Sequence, residues 1–475
     1  MADPRAARAW EGLQRGISGQ VLLPGSQAYE RARPPFTAWF HDLQPQAVVR
    51  CATPQDAAEV IAFARRHRLQ IATRSGGHSF AGHSSTSGVV IDVTPMASVV
   101  VADGVAQVGT GVRLGDLYQR LLAHGLTVPA GTCPSVGVGG LALGGGHGIL
   151  GRAYGLTLDH LLGAQVVLAD RHLVDCDQHH HPELFWALRG AGAGNFGVVT
   201  SLTFAPRPAP SMTNFHLTWS YVHAAAVAAA WQRWAPHGPD ELAADLALTA
   251  TGEPAVEPTV EVYGAVLGSE PDTTQLLQQL VTRVGADPRE HTCRQLSYRD
   301  TTRFQADRSG ATTQAARPPQ AQLARRGCRF TKSEFFDRPL PSQAIAALVD
   351  GLASRRVAGQ DRSLEFAPWG GAYHRRSPDA TAFAHRRQLF VLEHLSAVGP
   401  GASDQDRRAA HRWVRRSWAC VHPWGSGRVY PNFPDPELDD WGWAYYGENY
   451  PRLRQVKARY DPDAVFRFPQ SLPAR

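Results

Sequence analysis

Ile71-Ala72-Thr73-Arg74-Ser75-Gly76-Gly77-His78-Ser79 decides how this chain is read. A short run suited to a strand ends at Arg74 and breaks into consecutive glycines. Glycine lets main-chain N–H groups approach an anionic ligand closely, and neighbouring N–H groups then form a nest for it. Arg74 can add charge-assisted hydrogen bonds. A strand running into such a loop predicts a diphosphate cradle, although Ser-Gly-Gly-His taken alone is also an ordinary tight turn.

Working outward, Ala47–Arg50 reads as a strand. A helix follows to about Arg68, with Thr53 as N-cap and Pro54 at its first position. Gly88–Val93 and Ser98–Val101 are β-branched runs bounded by turn residues, and Leu114–His124 is amphipathic with Gly125 as its stop. A second glycine-rich loop, Gly131-Thr132-Cys133-Pro134-Ser135-Val136-Gly137, carries a cysteine. A His and a Cys held in two such loops could both be bonded to one cofactor; a lone cysteine is otherwise usually a small buried hydrophobe. Leu161–Ala169 and Val198–Phe204 read as strands, with a helix at Pro182–Arg189.

Gly192-Ala193-Gly194-Asn195-Phe196-Gly197 satisfies G-x-G-x-x-G, but a helix precedes it and a strand follows. A dinucleotide fingerprint needs the reverse order, so a nicotinamide reading fails. Pro206–Pro210 is a proline-rich break. Beyond it, strands at Asn214–Tyr221, Ala243–Thr249, Thr259–Leu267, Ser363–Ala367 and Leu389–Ser396 alternate with helices at Ala224–Trp234, Thr273–Val284 and Ser403–Trp418. This predicts a large antiparallel sheet backed by helices.

These segments, and most of the chain, resemble the berberine bridge enzyme-like oxidases of the vanillyl-alcohol oxidase superfamily. The resemblance implies an α+β fold of two domains: an FAD-binding domain over residues 1–207, a substrate domain over 208–423, and a return segment over 424–475 that completes the first. It implies FAD bound twice, through His78 to the flavin 8α-methyl group and through Cys133 to flavin C6. Arg74, Ser75, Gly76, Gly77, Ser79, Gly137, Gly139, Gly140, Gly145, Gly146 and His147 match family positions beside the cofactor. So do Asn195, Gly197, Val198 and Val199, while Asn432 and Asn449 are further candidate flavin contacts. His83 is assigned to packing within its loop.

In the tail, Val429-Tyr430-Pro431-Asn432-Phe433 and Tyr446-Gly447-Glu448-Asn449-Tyr450 are similar to the family's closing signature. Tyr430 matches a tyrosine that serves as catalytic base in several bacterial and fungal members, with Pro431 in place of the more usual Val. A free tyrosine, with pKa about 10, is a poor base unless a partner lowers it. Arg428, two residues earlier on an extended segment, is the candidate helper. The catalytic Glu of plant members aligns with Leu395, so Tyr373 and Glu393 are the next candidates for a second base, with Glu365 and His394 behind them.

Composition sets further bounds. At 475 residues two cores can be buried. The formal net charge of +6 is carried almost wholly by arginine, Lys332 and Lys457 being the only lysines. That skew suits a GC-rich bacterial genome rather than a nucleic-acid surface. The six cysteines are widely spaced with no C-x-x-C, which argues against zinc ribbons. His179-His180-His181 reads as a solvated loop and not as a metal tract. No membrane span or secretory signal is recognised, so a cytoplasmic monomer or homodimer is expected.

The expected function is oxidation of a small molecule, an alcohol or hemiacetal of a secondary metabolite, with O₂ as acceptor and H₂O₂ as product. The alternatives are a sugar or oligosaccharide oxidase, an oxidative cyclase of the same fold, or a flavin-binding protein without turnover.

Overall fold

The computed structural model describes residues 4–308 and 327–474. The expected spans 1–207 and 424–475 reach past these residues at the two termini. Among the described residues, the first sheet has four strands in the order Gln20–Leu22, Ala47–Arg50, Val89–Asp92, Ile71–Arg74. Its last three strands are parallel, and the helix Pro54–His67 crosses between two of them. That helix begins with a capping box between Thr53 and Asp56 and stops at Arg68 in the left-handed region. The strand Ile71–Arg74 lies at the sheet edge and runs directly into its glycine loop, the strand-to-loop order that the sequence predicts.

A five-stranded antiparallel sheet follows, ordered Val99–Ala102, Val105–Gly109, Val198–Phe204, Leu161–Val167, Leu173–Asp177. Thr110 at its rim accepts the Ser75 hydroxyl on its carbonyl at 2.6 Å and donates its own hydroxyl to Val199 O at 2.6 Å. These two bonds lock the first glycine-rich loop to the sheet.

The largest sheet, of seven strands, is antiparallel throughout. Its order is Glu290–Leu296, Met212–Trp219, Thr259–Val266, Leu242–Ala250, Gln360–Pro368, Phe390–Val398, Cys328–Phe336. Leu242, Ala244, Leu246 and Leu248 point to one face and pack with the helices Ala224–Trp234, Glu270–Val284 and Ser342–Ala353. Because side chains alternate along a strand, Ala243, Asp245 and their cross-strand neighbours are left to the other face. That face carries the polar residues.

From Val429 onward the chain returns to earlier segments. Lys457 is fully buried, and its ammonium donates to Asn195 O at 2.5 Å, Phe466 O at 2.7 Å and Asp461 at 2.7 Å. The Asn195 side chain accepts from Leu472 N at 3.0 Å. The other lysine, Lys332, is 6% exposed and pairs with Asp435 at 2.6 Å and Glu437 at 3.0 Å, fixing the tail to the large sheet. No described helix is long and apolar enough to cross a membrane.

Candidate active site

Both glycine-rich loops open on one cavity of about 510 Å³. They meet back to back. A Cβ on Gly76 would lie 2.2 Å from Gly137 N, and one on Gly137 would lie 2.2 Å from Gly76 N, so neither position has room for a side chain. Ser75, Gly76, Gly77, His78 and Ser79 line the cavity from one loop, and Cys133 and Gly137 from the other. Gly139, Gly140, His147, Asn195, Gly197, Val198 and Val199 continue the lining. At Gly140 a Cβ would meet no protein atom within 4 Å. Arg74 is nearly fully buried and donates from Nε to Ser84 O and from Nη1 to Ala32 O, leaving Nη2 buried without a protein acceptor. Burial lowers its pKa to about 10, so it stays charged. A charged donor to spare and a glycine-walled floor fit an anionic dinucleotide such as FAD.

His78 and Cys133 come together through a third residue. Ser135 Oγ is 3.1 Å from His78 Nε2 and 3.4 Å from Cys133 Sγ. The His78 ring also stacks on Phe36, with centroids 3.9 Å apart and planes inclined by 20°. His83 reaches the cavity while packing against Phe468, and burial lowers its pKa to about 4.

Tyr430 also lines the cavity, fully buried, between the rings of His147, Phe433, Phe383 and Trp369. Its Oη accepts hydrogen bonds from Gly146 N at 2.7 Å and Asn432 Nδ2 at 3.1 Å. Burial pushes its pKa up to about 12, opposed by these donors and by the His147 main chain. Several N–H groups aimed at one phenolic oxygen favour the deprotonated form. His147 is held neutral by burial, its pKa lowered to about 4.

Gly145, Gly146, Asn449 and Arg428 each meet another part of the chain. Gly145 and Gly146 meet Tyr430: a Cβ on Gly145 would strike the Tyr430 ring, and Gly146 supplies the N–H on Tyr430 Oη. Asn449 is turned away from the cavity, and its amide donates to Pro378 O, Thr381 O and Ala382 O. Arg428 cannot help Tyr430. Its guanidinium lies 3.7 Å over the Trp443 ring and donates to Trp443 O, because the backbone at 428–430 is not a regular strand and the shared-face rule does not hold. Of the histidine run, His181 contacts Tyr460 and His180 contacts Asp177.

The polar face of the large sheet also lines the cavity, contributing Asp245, Tyr263, Arg329, Glu365, Glu393 and Leu395. Glu365 and Glu393 are direct cross-strand partners, as are Asp245 and Tyr263. Burial, reinforced by Glu365, pushes Glu393 up to about 8 and Asp245 to about 7. Thr331 donates to Glu393 at 2.7 Å and opposes the rise. Glu365 is raised as well, chiefly by burial, with Arg329 opposing. Tyr373 lines the cavity, stacked on Trp369 at 4.4 Å; burial raises its pKa far above the usual range.

Comparison with known proteins agrees with this geometry. Residues 45–177 match the family model for an FAD binding domain, and residues 429–473 match the model described as berberine and berberine like. The FAD-linked oxidoreductase YgaK of Bacillus subtilis (strain 168) is 32% identical over 96% of this chain and 97% of its own. The chitooligosaccharide oxidase of Gibberella zeae is 30% identical over 90% of this chain and 87% of its own. Among solved structures, BBE-like 1 of Physcomitrella patens superposes with a TM-score of 0.87 at 25% identity, covering 98% of this chain and 99% of that one. The chain belongs to the berberine bridge enzyme-like FAD-linked oxidases.

In this oxidase the sequence reading overlooked Asp245, Tyr263 and Arg329. Asp245 interrupts the apolar run Leu242–Leu248, and a lone carboxylate inside an otherwise apolar strand was the available signal. Arg329 had none, because its strand Cys328–Phe336 was not recognised.

Proposed function

We propose that this FAD-dependent oxidase holds its flavin through two covalent bonds, to His78 and Cys133, and oxidises a hydroxyl-bearing small molecule with Tyr430 as the group that receives the hydroxyl proton. The observation that carries this reading is the enclosure of Tyr430 Oη by N–H donors in the cavity that His78 and Cys133 also line. When bound, FAD would supply the hydride acceptor, with O₂ taking up the electrons to give H₂O₂. Gly76, Gly77 and the Arg74 guanidinium would hold the diphosphate. Asn195, Gly197, Val198 and Val199 would lie along the cofactor.

Residues 1–207 and 424–475 together would build the FAD-binding part, and 208–423 the substrate part. The bonds from Lys457 and Leu472 to Asn195 support this division. On the substrate side, Glu393 is the candidate second base. With a pKa near 8 it is available both to accept and to donate a proton around neutrality. A secondary-metabolite alcohol or hemiacetal is the favoured substrate. An oligosaccharide is the second reading, favoured by similarity to the chitooligosaccharide oxidase and by three carboxyl groups able to bond to sugar hydroxyls. Oxygen uptake and H₂O₂ release, measured against a panel of both classes, test the proposal. Flavin that no panel member reduces would overturn it.

A further inference from the structure

We infer that Ser135 is the positioning residue for covalent attachment of the flavin, holding the His78 imidazole and the Cys133 thiol through a single hydroxyl. This inference rests on the proposed double attachment. Ser135 Oγ lies within 3.1 Å of His78 Nε2 and 3.4 Å of Cys133 Sγ, whereas Ser135 itself does not line the cavity. It therefore touches both groups through one oxygen. A hydroxyl has one proton to give and lone pairs to accept with, so it can accept from one neighbour while donating to the other.

The loop holds this oxygen in place. Val136 N donates to Cys133 O at 3.3 Å, closing a turn over Pro134 and Ser135. Gly115 N donates to Pro134 O and Leu114 N to Val136 O, which ties the turn to the start of the helix Leu114–Leu122. Gly115 lacks a side chain at the point where a Cβ would come 3.1 Å from the Pro134 ring. The turn is thus fixed on both sides of Ser135, and the serine orientation carries over to both neighbours.

The chemistry needs such a device. Each attachment replaces one C–H of the flavin and one N–H or S–H of the protein by a C–N or C–S bond. The two protons and two electrons released go to O₂, which leaves as H₂O₂. The thiolate is the nucleophile at sulfur, and the imidazole must present a lone pair. In either direction of bonding, Ser135 couples loss of the proton at one group to the hydrogen bond it makes with the other.

The test compares the natural protein with Ser135→Ala, Ser135→Thr and Ser135→Val, each purified and incubated with FAD in air. Samples are acid-precipitated at intervals, flavin per chain is measured, and peptide masses locate flavin on His78 and Cys133. The visible flavin spectrum before precipitation selects the folded fraction. Attachment should slow by about tenfold or more in the Ala and Val variants, at both residues, the effect of losing one hydrogen bond from the attachment step. The Thr variant, which keeps the hydroxyl, should hold both bonds. Equal rates for Thr and Val would overturn the inference, since packing rather than the hydroxyl would then matter; so would wild-type rates in the Ala variant, which stands in should Val not fold. Flavin released wholly by acid from the natural protein would instead overturn the double attachment itself.

Discussion

Tyr430 Oη accepts a 2.7 Å hydrogen bond from the main-chain N–H of Gly146, 284 residues earlier in the chain. The contact ties the returning tail to the glycine-rich segment between Val138 and Gly148, and it places a phenol where its conjugate base has ready-made donors. Replacing Tyr430 by Phe keeps the ring contacts and removes the proposed proton acceptor. Flavin reduction by the best panel substrate, followed by stopped-flow absorbance, should slow by about 10²–10⁴ with the flavin retained at normal stoichiometry.

Asn432 provides the second donor on the same oxygen. An Asn432→Leu variant leaves the tyrosinate with less support, which raises the Tyr430 pKa further. The rising limb of the pH–rate profile should move to higher pH by about one to two units, the value of a hydrogen bond to a charged group. An unmoved limb would assign the profile to another residue, with Glu393 first.

The carboxyl group of Glu393 has its own signature in stability. Its pKa rises from 4.5 to about 8 on folding, so between those values the folded chain keeps a proton that the unfolded chain has released. Stability from this group falls as pH rises through that window and levels off above it. Glu393→Gln preserves an oxygen for the Thr331 hydroxyl and removes the titration. The thermal midpoint of the variant, measured relative to the natural protein, should therefore climb from about pH 4.5 to about pH 8.

Acid-denatured protein should remain yellow and be heavier by one FAD. His78→Ala and Cys133→Ala should each retain flavin through the other bond, and only the double variant should release it. Intact-mass spectrometry after acid treatment reads all three outcomes directly.

Removing the buried Lys457 charge leaves Asp461 without its counter-ion and two carbonyls without their donor. Lys457→Met should cost about 3–5 kcal/mol, read as a lower denaturation midpoint with the tail released first. Retention of the natural midpoint would remove this ion pair from the account of how the tail is held.

Local signals were sufficient for much of the fold. The helix Ala224–Trp234 and the strands Ala47–Arg50, Ile71–Arg74 and Val198–Phe204 are where periodicity and turn residues put them. Val138–Gly144 is helical despite three glycines, because it is packed between the helix Pro182–Ala191 and the Thr157–His160 turn, a tertiary effect that propensity does not register. The strands Val105–Gly109, Glu290–Leu296 and Cys328–Phe336 were missed, and with the last went Arg329. The glycine loops, Tyr430 and Asn432 were legible because their residue types announce close backbone approach or proton chemistry. What Gly145, Gly146, Asn449 and Arg428 do depends on which distant segment each one meets, and no spacing along the chain encodes that. The grouping of Asp245, Glu365 and Glu393 is likewise a matter of strand order in a sheet assembled from segments far apart in sequence.

With Lys332 6% exposed and Lys457 fully buried, both ε-amino groups are withdrawn from solvent in the native fold. Acylating dyes and amine cross-linkers would find neither of them until the structure opens. The extent of lysine labelling then becomes a chemical gauge of unfolding, and because each lysine anchors a different stretch of the tail, the order in which the two react would report which attachment gives way first.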